Sequence, residues 1–578
     1  MTDRGLFFAS RGSKGLHFHG APAYDEQALL NEEARIIHFS HDGKHLAYAT
    51  NDKLKVIETQ QLKQVFEADC IRIIGLAFSP NGTYLSCLEQ YFSPKDGGQP
   101  KKNLSLWNIS KHGERMTDFV QKKQTNWQLQ WAKDESTYSR IVTNEVHFYS
   151  SSDFKLISAK IRLEKVETFA LSPGPSPFHV ACYVPGSRGQ PSLVRLFRSP
   201  VSEPDAPPVA SKSFFKADRV EMKWSQTGTG LLVLTITDVD KTGSSYYGEQ
   251  GLHYVDIKGH SAVVQTSKKG PIHAAEWSPN SREFCAVYGT MPAKATLFNS
   301  KCESVLEFGT GSWNQCYFNS FGNILLLAGF GNLRGTVDVW GLDGTKFKQA
   351  GRLQAPDSTL LHWAPDGEHF LTATTAPRLR TANGFKVWHY SGTLKKDCLY
   401  PEGQELWDVA WKPWPPGHEG PKNISFQNAS AANAASMAPQ PYRPPGARNR
   451  PLQPFSLHDD EDDVKKPSTT SSIPGAPVGL SEVSKSALKN KKKKEAKKAK
   501  KAVEGQLATD ETSSPADEKA SNTLPPEQEK KVKNLKKKLE DIRKLKADQA
   551  EGKVLEKNQL DKIAREAELL SELKSLSM

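Results

Sequence analysis

The chain has 578 residues, and 77 Lys and Arg against 65 Asp and Glu give it a formal net charge of +12. No apolar run approaches the roughly 18–20 residues that a membrane-spanning helix needs, and the N-terminal apolar stretch is too short for a signal peptide. The seven cysteines are scattered without any C-x-x-C pair, so the sequence predicts a soluble chain with reduced thiols in the cytosol or nucleus and excludes secreted, membrane-spanning and disulfide-stapled classes.

The chain divides into two parts of different composition. All twelve tryptophans and all seven cysteines lie before residue 415. Residues 422–578 contain only three aromatic residues but 31 basic and 23 acidic ones, so this tail carries +8 of the net +12. A segment with so few aromatic residues cannot bury enough apolar area to offset the entropy of ordering. We therefore expect one globular domain over residues 1–421, followed by a largely unpacked tail.

The globular part repeats one turn motif, in which an aromatic residue is followed by Ser-Pro-(Asn/Asp)-Gly and an aliphatic residue. Each copy predicts that a strand ends on a buried aromatic residue, a turn reverses the chain, and a second strand begins. Clear copies begin at Phe39, Phe78, Trp224, Trp277, Phe318 and Trp363, and weaker copies begin at Trp131, Phe169 and Trp411.

Alternating apolar residues between the copies predict a further strand, which in several repeats ends in tryptophan. Examples are residues 54–57, 104–107, 194–197, 337–340 and 385–388. Four short strands per repeat form the blade of a β-propeller, and these strands are the third of each blade.

The first and last strand patterns each lack part of a blade. Residues 6–9 have no turn motif of their own, and the motif at Trp411 has no later strands. We expect the two fragments to complete one blade, because pairing them closes the ring without a free edge. The sequence predicts an all-β, nine-bladed propeller that loosely resembles the WD-repeat propellers. Eight blades is the alternative, if the copy at Trp131 or Phe169 is only a loop.

Motifs for enzymatic chemistry are missing from the sequence. There is no G-x-x-x-x-G-K-[ST] phosphate loop and no G-x-S-x-G elbow. The glycine-rich residues 329–335 lie between two strand patterns and are interpreted as a hairpin loop. His41 and His45 flank a turn, and His17 and His19 alternate along a strand, so neither pair predicts a zinc site. We expect a non-enzymatic binding protein with no catalytic residues, cofactor or metal.

The tail subdivides by composition. Residues 422–480 form a predicted disordered linker with an acidic run at 459–463, which is either a solvated segment or a docking peptide for a basic partner. Residues 481–505 are rich in lysine and predicted to be helical, and residues 506–526 form a second linker. Apolar residues spaced three and four apart predict a pair of amphipathic helices over residues 527–578, with a break at Gly552.

The basic side chains of the tail are candidates for RNA contact, because lysine clusters bind phosphates with strong salt dependence and little sequence preference. A nuclear-localisation sequence and simple solubility are the alternatives. Phosphorylation at Ser513 or Ser514 would add negative charge and oppose RNA contact. The candidate RNA-binding residues are Lys489, Lys491, Lys492, Lys493, Lys494, Lys497, Lys498, Lys500, Lys501, Lys530, Lys531, Lys533, Lys536, Lys537, Lys538, Arg543 and Lys544.

The combination of a degenerate propeller with turns such as F-S-P-N-G from Phe78, a linker, the lysine block 491–501 and a terminal helical pair resembles the eukaryotic translation initiation factor 2A family. The resemblance implies a monomeric factor that binds the small (40S) ribosomal subunit and directs initiator methionyl-tRNA to it without GTP on selected mRNAs. The implied partners are rRNA and ribosomal proteins, initiator tRNA, mRNA and other initiation factors, with no membrane. The alternative is a WD-repeat interaction scaffold whose lysines serve localisation.

Overall fold

The computed structural model describes residues 5–424 except 94–97, 175, 188–189, 200–205, 216, 238–247, 416, 418–419 and 422–423. It also describes Leu539, Ile542, Arg543, Lys546 and Glu566. The chain forms two compact units, Met1–Phe455 and Ser456–Met578.

The first unit contains nine antiparallel four-stranded sheets, which are the blades of a propeller. Blade 1 takes three strands from the N-terminus: β1 (Phe7–Gly12), β2 (Gly15–Gly20) and β3 (Asp25–Leu30). Blade 2 consists of β4 (Ile36–Phe39), β5 (His45–Ala49), β6 (Lys53–Glu58) and β7 (Gln64–Asp69), and blade 3 consists of β8 (Ile73–Phe78), β9 (Tyr84–Glu89), β10 (Leu104–Asn108) and β11 (Glu114–Phe119). Blade 4 consists of β12 (Gln130–Trp131), β13 (Thr137–Val142), β14 (Glu145–Ser150) and β15 (Asp153–Arg162), and blade 5 consists of β16 (Thr168–Leu171), β17 (His179–Val184), β18 (Ser192–Arg198) and β19 (Ala210–Phe214).

The remaining blades follow the same order, from the innermost to the outermost strand. A short 3-10 turn, Ile109–Lys111, follows β10. Blade 6 consists of β20 (Arg219–Trp224), β21 (Gly230–Ile236), β22 (Gln250–Asp256) and β23 (Ser261–Val263), and blade 7 consists of β24 (Ile272–Trp277), β25 (Glu283–Tyr288), β26 (Ala293–Asn299) and β27 (Ser304–Gly311). Blade 8 consists of β28 (Gln315–Phe318), β29 (Ile324–Ala328), β30 (Thr336–Asp343) and β31 (Lys346–Gln354), and blade 9 consists of β32 (Leu360–Trp363), β33 (His369–Thr374), β34 (Gly384–His389) and β35 (Leu394–Leu399). The last strand is β36 (Leu406–Trp411).

The ring is closed by β36, which pairs antiparallel with β1 and becomes the innermost strand of blade 1. Phe8 lies opposite Trp411 in this pairing, and Ser10 lies opposite Val409. The predicted closure is confirmed, and so is the count of nine, because the weak motif copies at Trp131 and Phe169 both lie in the first strands of complete blades.

Nine apolar clusters hold the ring together, one at each joint between neighbouring blades. The joint of blades 2 and 3, for example, buries Leu54 and Val56 against Leu76, Phe78 and Leu85. The last joint packs Phe385 and Val387 of blade 9 against Phe8 and Trp411 of blade 1. Because every blade contributes to two clusters, burial of apolar area favours the complete ring over any open arc.

Tryptophans of the turn motif also link neighbouring blades by hydrogen bonds. In four of the five motif tryptophans, the indole N–H donates to a backbone carbonyl on the innermost strand of the preceding blade, so the polar edge of the ring is satisfied. The sequence predicts the strand end at these residues but not this bond. The pairs are Trp224 with Ala170 at 3.0 Å, Trp277 with Lys223 at 2.9 Å, Trp363 with Tyr317 at 3.4 Å and Trp411 with His362 at 3.1 Å.

Hydrogen bonds of the motif serine show where the turn motif begins in each blade, and in blade 5 the predicted start is wrong. Ser40 Oγ accepts the N–H of His45 at 2.9 Å, and Ser79 Oγ accepts that of Tyr84 at 2.9 Å. In blade 5 the same bond runs from His179 to Ser172 at 2.8 Å. The motif of that blade therefore begins two residues later than predicted, with Leu171 in the position of the aromatic residue.

The third-strand patterns lie in β6, β10, β18, β30 and β34, as predicted. The literal Trp-Asp dipeptide, Trp407-Asp408, lies instead in the innermost strand β36. Its indole donates to Glu405 at 2.9 Å, and its carboxylate lies 3.6 Å from Arg11. This dipeptide therefore matches the WD motif in sequence only, because it does not lie in the third strand of a blade.

Candidate docking faces and channel

The antiparallel blades give the propeller two unlike faces. We call the side that carries the connections between first and second strands, and between third and fourth strands, the turn face. It includes residues 40–44, 79–83, 225–229, 278–282, 319–323 and 364–368. We call the opposite side, which carries connections between second and third strands and between blades, the loop face. It includes residues 70–72, 90–93, 98–103, 120–129, 264–271, 329–335 and 375–383.

Turns on the turn face interlock from blade to blade. Gly43 has a φ of 70°, and a Cβ there would lie 2.1 Å from the carbonyl oxygen of Pro413. A Cβ on Gly82, whose φ is 77°, would lie 3.1 Å from Cβ of Ser40 in the preceding turn. Only glycine combines this left-handed conformation with such a close approach. The turns of blades 2 and 3 and the segment after β36 are therefore closely packed.

The described residues that follow β36, which we call the terminal strap, contact the turn face; they are residues 412–415, 417, 420, 421 and 424. Lys412 donates its N–H to the carbonyl of Phe7 at 2.8 Å. Farther along, Asn323 Nδ2 donates to the carbonyl of Pro421 at 2.8 Å, and Ile424 packs on the cluster between blades 8 and 9. Residues 421 and 424 therefore lie beside blade 8.

A cavity of about 450 Å³ lies beside the innermost strands of blades 6, 7 and 8, which face the central channel of the propeller. Polar side chains of these three strands, β20, β24 and β28, line it. Lys223 Nζ donates to the carbonyl of Ala275 at 3.1 Å and forms an ion pair with Glu276 on the next blade. Tyr317 donates its hydroxyl to Gln315, and burial raises the pKa of Tyr317. Lys223 thus joins blades 6 and 7, whereas the bond between Tyr317 and Gln315 lies within β28 of blade 8.

Three of the four histidines considered in the sequence have side-chain hydrogen-bond partners in the propeller. His41 Nδ1 lies 3.2 Å from the carbonyl oxygen of Ser79, while His45 begins β5. His17 bonds to Glu26 at 2.7 Å, and His19 bonds to Ser10 at 2.9 Å. His17 and His19 therefore bond to different partners. Residues 329–335 connect β29 to β30, as the hairpin interpretation predicts.

Within the described residues, one group of carboxylates and imidazole, Asp366, Glu368 and His369, lies close enough together to hold a metal ion. The sequence analysis did not select it. Asp366 Oδ1 accepts the backbone N–H groups of Glu368 and His369, both at 3.0 Å, and Oδ2 bonds to His369 Nδ1 at 2.6 Å. These bonds account for the arrangement as a capped turn.

On the loop face, β10 and β11 bring together basic residues that are far apart in the sequence. Leu104 pairs with Phe119, so Lys101 and Lys102 lie beside the connection that carries Lys122 and Lys123. All four side chains are exposed. The sequence analysis missed this cluster because no charge run marks it; the strand register is the observation that would have revealed it.

Most of the residues proposed for RNA contact lie outside the described residues. Arg543 is the exception, and it is helical and exposed. Its neighbour Ile542 is helical and only 3% exposed, and Lys546 forms an ion pair with Glu566. Ser513, Ser514, the acidic run 459–463, both linkers and the lysine block 491–501 also lie outside, so their roles stay predictions.

Comparisons with known proteins point to one family. Residues 212–409 match the family model described as eukaryotic translation initiation factor eIF2A. The chain is 36% identical to eukaryotic translation initiation factor 2A of Drosophila melanogaster, over 98% of this chain and 96% of that protein. It is 34% identical to the Schizosaccharomyces pombe protein of the same name, over 98% of both.

A solved structure titled as the crystal structure of the eukaryotic initiation factor is 34% identical, with a TM-score of 0.65. It aligns over 72% of this chain and 100% of its own. In the part of the chain that the structure describes, no helix is both long and apolar enough to cross a membrane.

Proposed function

The chain belongs to the eukaryotic translation initiation factor 2A family, and on that premise we propose that it binds the small (40S) ribosomal subunit and directs initiator methionyl-tRNA to it without GTP on selected mRNAs. The main support for this proposal is that the similarity to the Drosophila relative extends over 98% of the chain and so includes the basic tail. The propeller acts as the docking platform, and the tail lysines contact RNA phosphates.

Tethering explains how two modest contacts combine in this mechanism. The terminal strap holds the chain against blades 1, 2 and 8, so a propeller that is docked on the subunit keeps the tail in its vicinity. Linking two contacts raises the overall affinity through effective concentration. The protein works as a cytoplasmic monomer, with rRNA, ribosomal proteins, mRNA and other initiation factors as partners. Phosphate on Ser513 or Ser514 weakens the RNA contact by repulsion.

The test replaces Lys491, Lys492, Lys493 and Lys494 by glutamate in the full chain. We expect at least about tenfold weaker binding of initiator tRNA and of the 40S subunit near physiological salt, because each lost phosphate contact forfeits counterion release. Deleting residues 481–578 should weaken binding further. Filter binding and subunit co-sedimentation, each with and without GTP, measure both affinities.

The control places the same charge change on the turn face. Lys258, Lys301, Lys346 and Lys395 are exposed residues in or beside turns of that face, and their replacement by glutamate should leave both affinities nearly unchanged. Equal affinities for the tail variant and the wild type would contradict the proposal and favour an interaction scaffold, which is indifferent to the tail charge. A dependence of tRNA binding on GTP would contradict the nucleotide-independent mechanism.

A further inference from the structure

The loop face of blades 3 and 4 carries a concentration of positive charge. The described residues of the two connections there, 90–93 with 98–103 and 120–129, contain Lys101, Lys102, Lys122 and Lys123 and no acidic residue. Lys101 lies 3.7 Å from Glu89 and Lys102 lies 3.6 Å from Asp118, yet their side chains remain 76% and 59% exposed. Such long, solvated ion pairs contribute little, so these lysines remain available to a polyanion.

A buried amide fixes the two connections to each other. Asn103 Oδ1 accepts the N–H of Gln121 at 2.7 Å, and Asn103 Nδ2 donates to the carbonyls of Gln121 at 3.0 Å and Glu89 at 2.9 Å. Arg140 donates to the carbonyl of Val120 at 3.2 Å. The backbone that carries the lysines is therefore held in one arrangement, which lowers the entropy lost when a ligand binds.

An exposed aromatic ring borders the same surface. Phe92 is 54% exposed, and the guanidinium of Arg72 lies 5.3 Å from its ring centroid. Glu89 connects this edge to the lysines, because its Oε1 accepts the N–H of Ile71 at 2.8 Å and lies 3.7 Å from Lys101 Nζ. A solvent-facing ring beside a cation and several lysines is the arrangement on which unpaired bases stack while phosphates are neutralised.

We propose that this surface binds single-stranded RNA, with phosphates on Lys101, Lys102, Lys122 and Lys123 and a base stacked on Phe92. The inference rests on the proposed function in taking RNA as the ligand, but it places a second contact on the propeller itself. Single-stranded RNA is favoured over an acidic peptide or a duplex, because a base offers the planar face that Phe92 requires, and paired bases keep theirs covered.

The experiment measures binding of the full chain to a fluorescent RNA strand, alone and annealed to its complement, across a range of salt concentrations. We expect the K101E/K102E/K122E/K123E variant to bind the single strand at least about tenfold more weakly near physiological salt. The slope of log affinity against log salt should fall by roughly 3, since each single-strand phosphate contact contributes about 0.7. Phe92→Ala should weaken single-strand binding at least about fivefold without changing this slope.

The matched control is the turn-face variant K258E/K301E/K346E/K395E, which changes net charge equally and should bind as the wild type does. Equal losses in the loop-face and turn-face variants would show a non-specific charge effect and overturn the inference. So would a loop-face variant with unchanged affinity, or a Phe92→Ala effect of the same size on the duplex. Loss of 40S binding with intact RNA affinity would assign the surface to a protein partner and also overturn it.

The tail variant K491E/K492E/K493E/K494E separates this inference from the proposed function. If the tail variant loses RNA affinity and the loop-face variant keeps it, the proposed function stands and the propeller site fails. If the loop-face variant loses affinity and the tail variant keeps it, the propeller site stands and the tail contact fails.

Discussion

The two faces of the propeller are built from the same blades but differ in how their connections are packed. On the turn face, glycines at positive φ such as Gly43 and Gly82 let neighbouring turns approach each other, and the terminal strap adds further contacts. On the loop face, Gly335 makes a similarly close approach, since a Cβ there would lie 2.2 Å from the carbonyl oxygen of Ala355, but most of residues 98–102 and 122–126 are exposed. The contrast indicates a division of labour, because a surface already occupied by its own contacts stabilises the ring, while the opposite surface is free to vary with a partner.

The largest expected effect comes from a pair of glycine substitutions, one on each face. Gly43 and Gly331 share nearly the same φ, 70° and 73°, but a Cβ on Gly331 would meet only the flexible side chain of Arg378, at 3.0 Å. Gly43→Ala should destabilise the propeller by about 3–4 kcal/mol, because backbone strain adds to a clash with Pro413. Gly331→Ala should cost only about 1 kcal/mol.

Urea unfolding midpoints of the two variants measure this difference. Equal midpoints would mean that the turn face relaxes as easily as the loop face, and the proposed contrast between them would be wrong.

Acid tests the turn-face half of the closing blade. Burial lowers the pKa of His19 from 6.5 to about 4. Between pH 6.5 and pH 4 the unfolded chain binds a proton at His19 that the folded chain does not. The free energy of unfolding is therefore highest above pH 6.5 and decreases as the pH falls towards 4. The loss should reach on the order of 3 kcal/mol.

His19→Gln should flatten the dependence of the urea midpoint on pH in this window. Some slope should remain, because burial also lowers the pKa of His253 and His389 to about 4. His260→Gln, at a side chain that is 76% exposed, serves as the control and should follow the wild type. A His19 variant with the full wild-type slope would remove this residue from the acid response.

A smaller effect is expected where the strap meets blade 8. Asn323→Asp keeps an acceptor for Asn319 but removes the N–H that donates to Pro421. The local cost should be about 1–2 kcal/mol, which corresponds to roughly 5- to 30-fold faster hydrogen exchange in the strap. Mass spectrometry of exchanged peptides measures it, and Asn332→Asp on the loop face should leave strap exchange unchanged. Equal exchange in both variants would show that the strap is held by packing alone.

The sequence was sufficient to predict the fold because the turn chemistry is local. An aromatic residue, a serine and a glycine within five positions specify a strand end and a reversal, so nine copies predicted nine blades. The incomplete patterns at residues 6–9 and at Trp411 predicted the closing blade for the same reason. The one misplaced repeat is also explained, because Phe169 supplied the aromatic character while Ser172 makes the hydrogen bond.

Features of the candidate surfaces depend on contacts between distant residues, and these were missed. The indole bonds join residues about fifty positions apart, such as Trp277 and Lys223. The hydrogen bond from Asn323 to Pro421 in the strap joins residues about a hundred positions apart, and no periodicity marks it. Lys101 and Lys122 become neighbours only through the register of β10 and β11. Sequence patterns report local geometry, whereas these contacts follow from which strands lie side by side.

Closure by β36 also orders events in time during synthesis of the protein. At about 5–20 residues per second, β1 waits about 20–80 s for its partner strand. Until then β1 keeps an unpaired edge, and Phe8 lacks Phe385 and Trp411 as neighbours. The nascent chain therefore exposes a strand edge that can pair with other chains unless chaperones shield it. Residues 412–578 follow β36 and take about 8–33 s more to synthesise. The ring can therefore close while the chain is still attached to the ribosome that makes it.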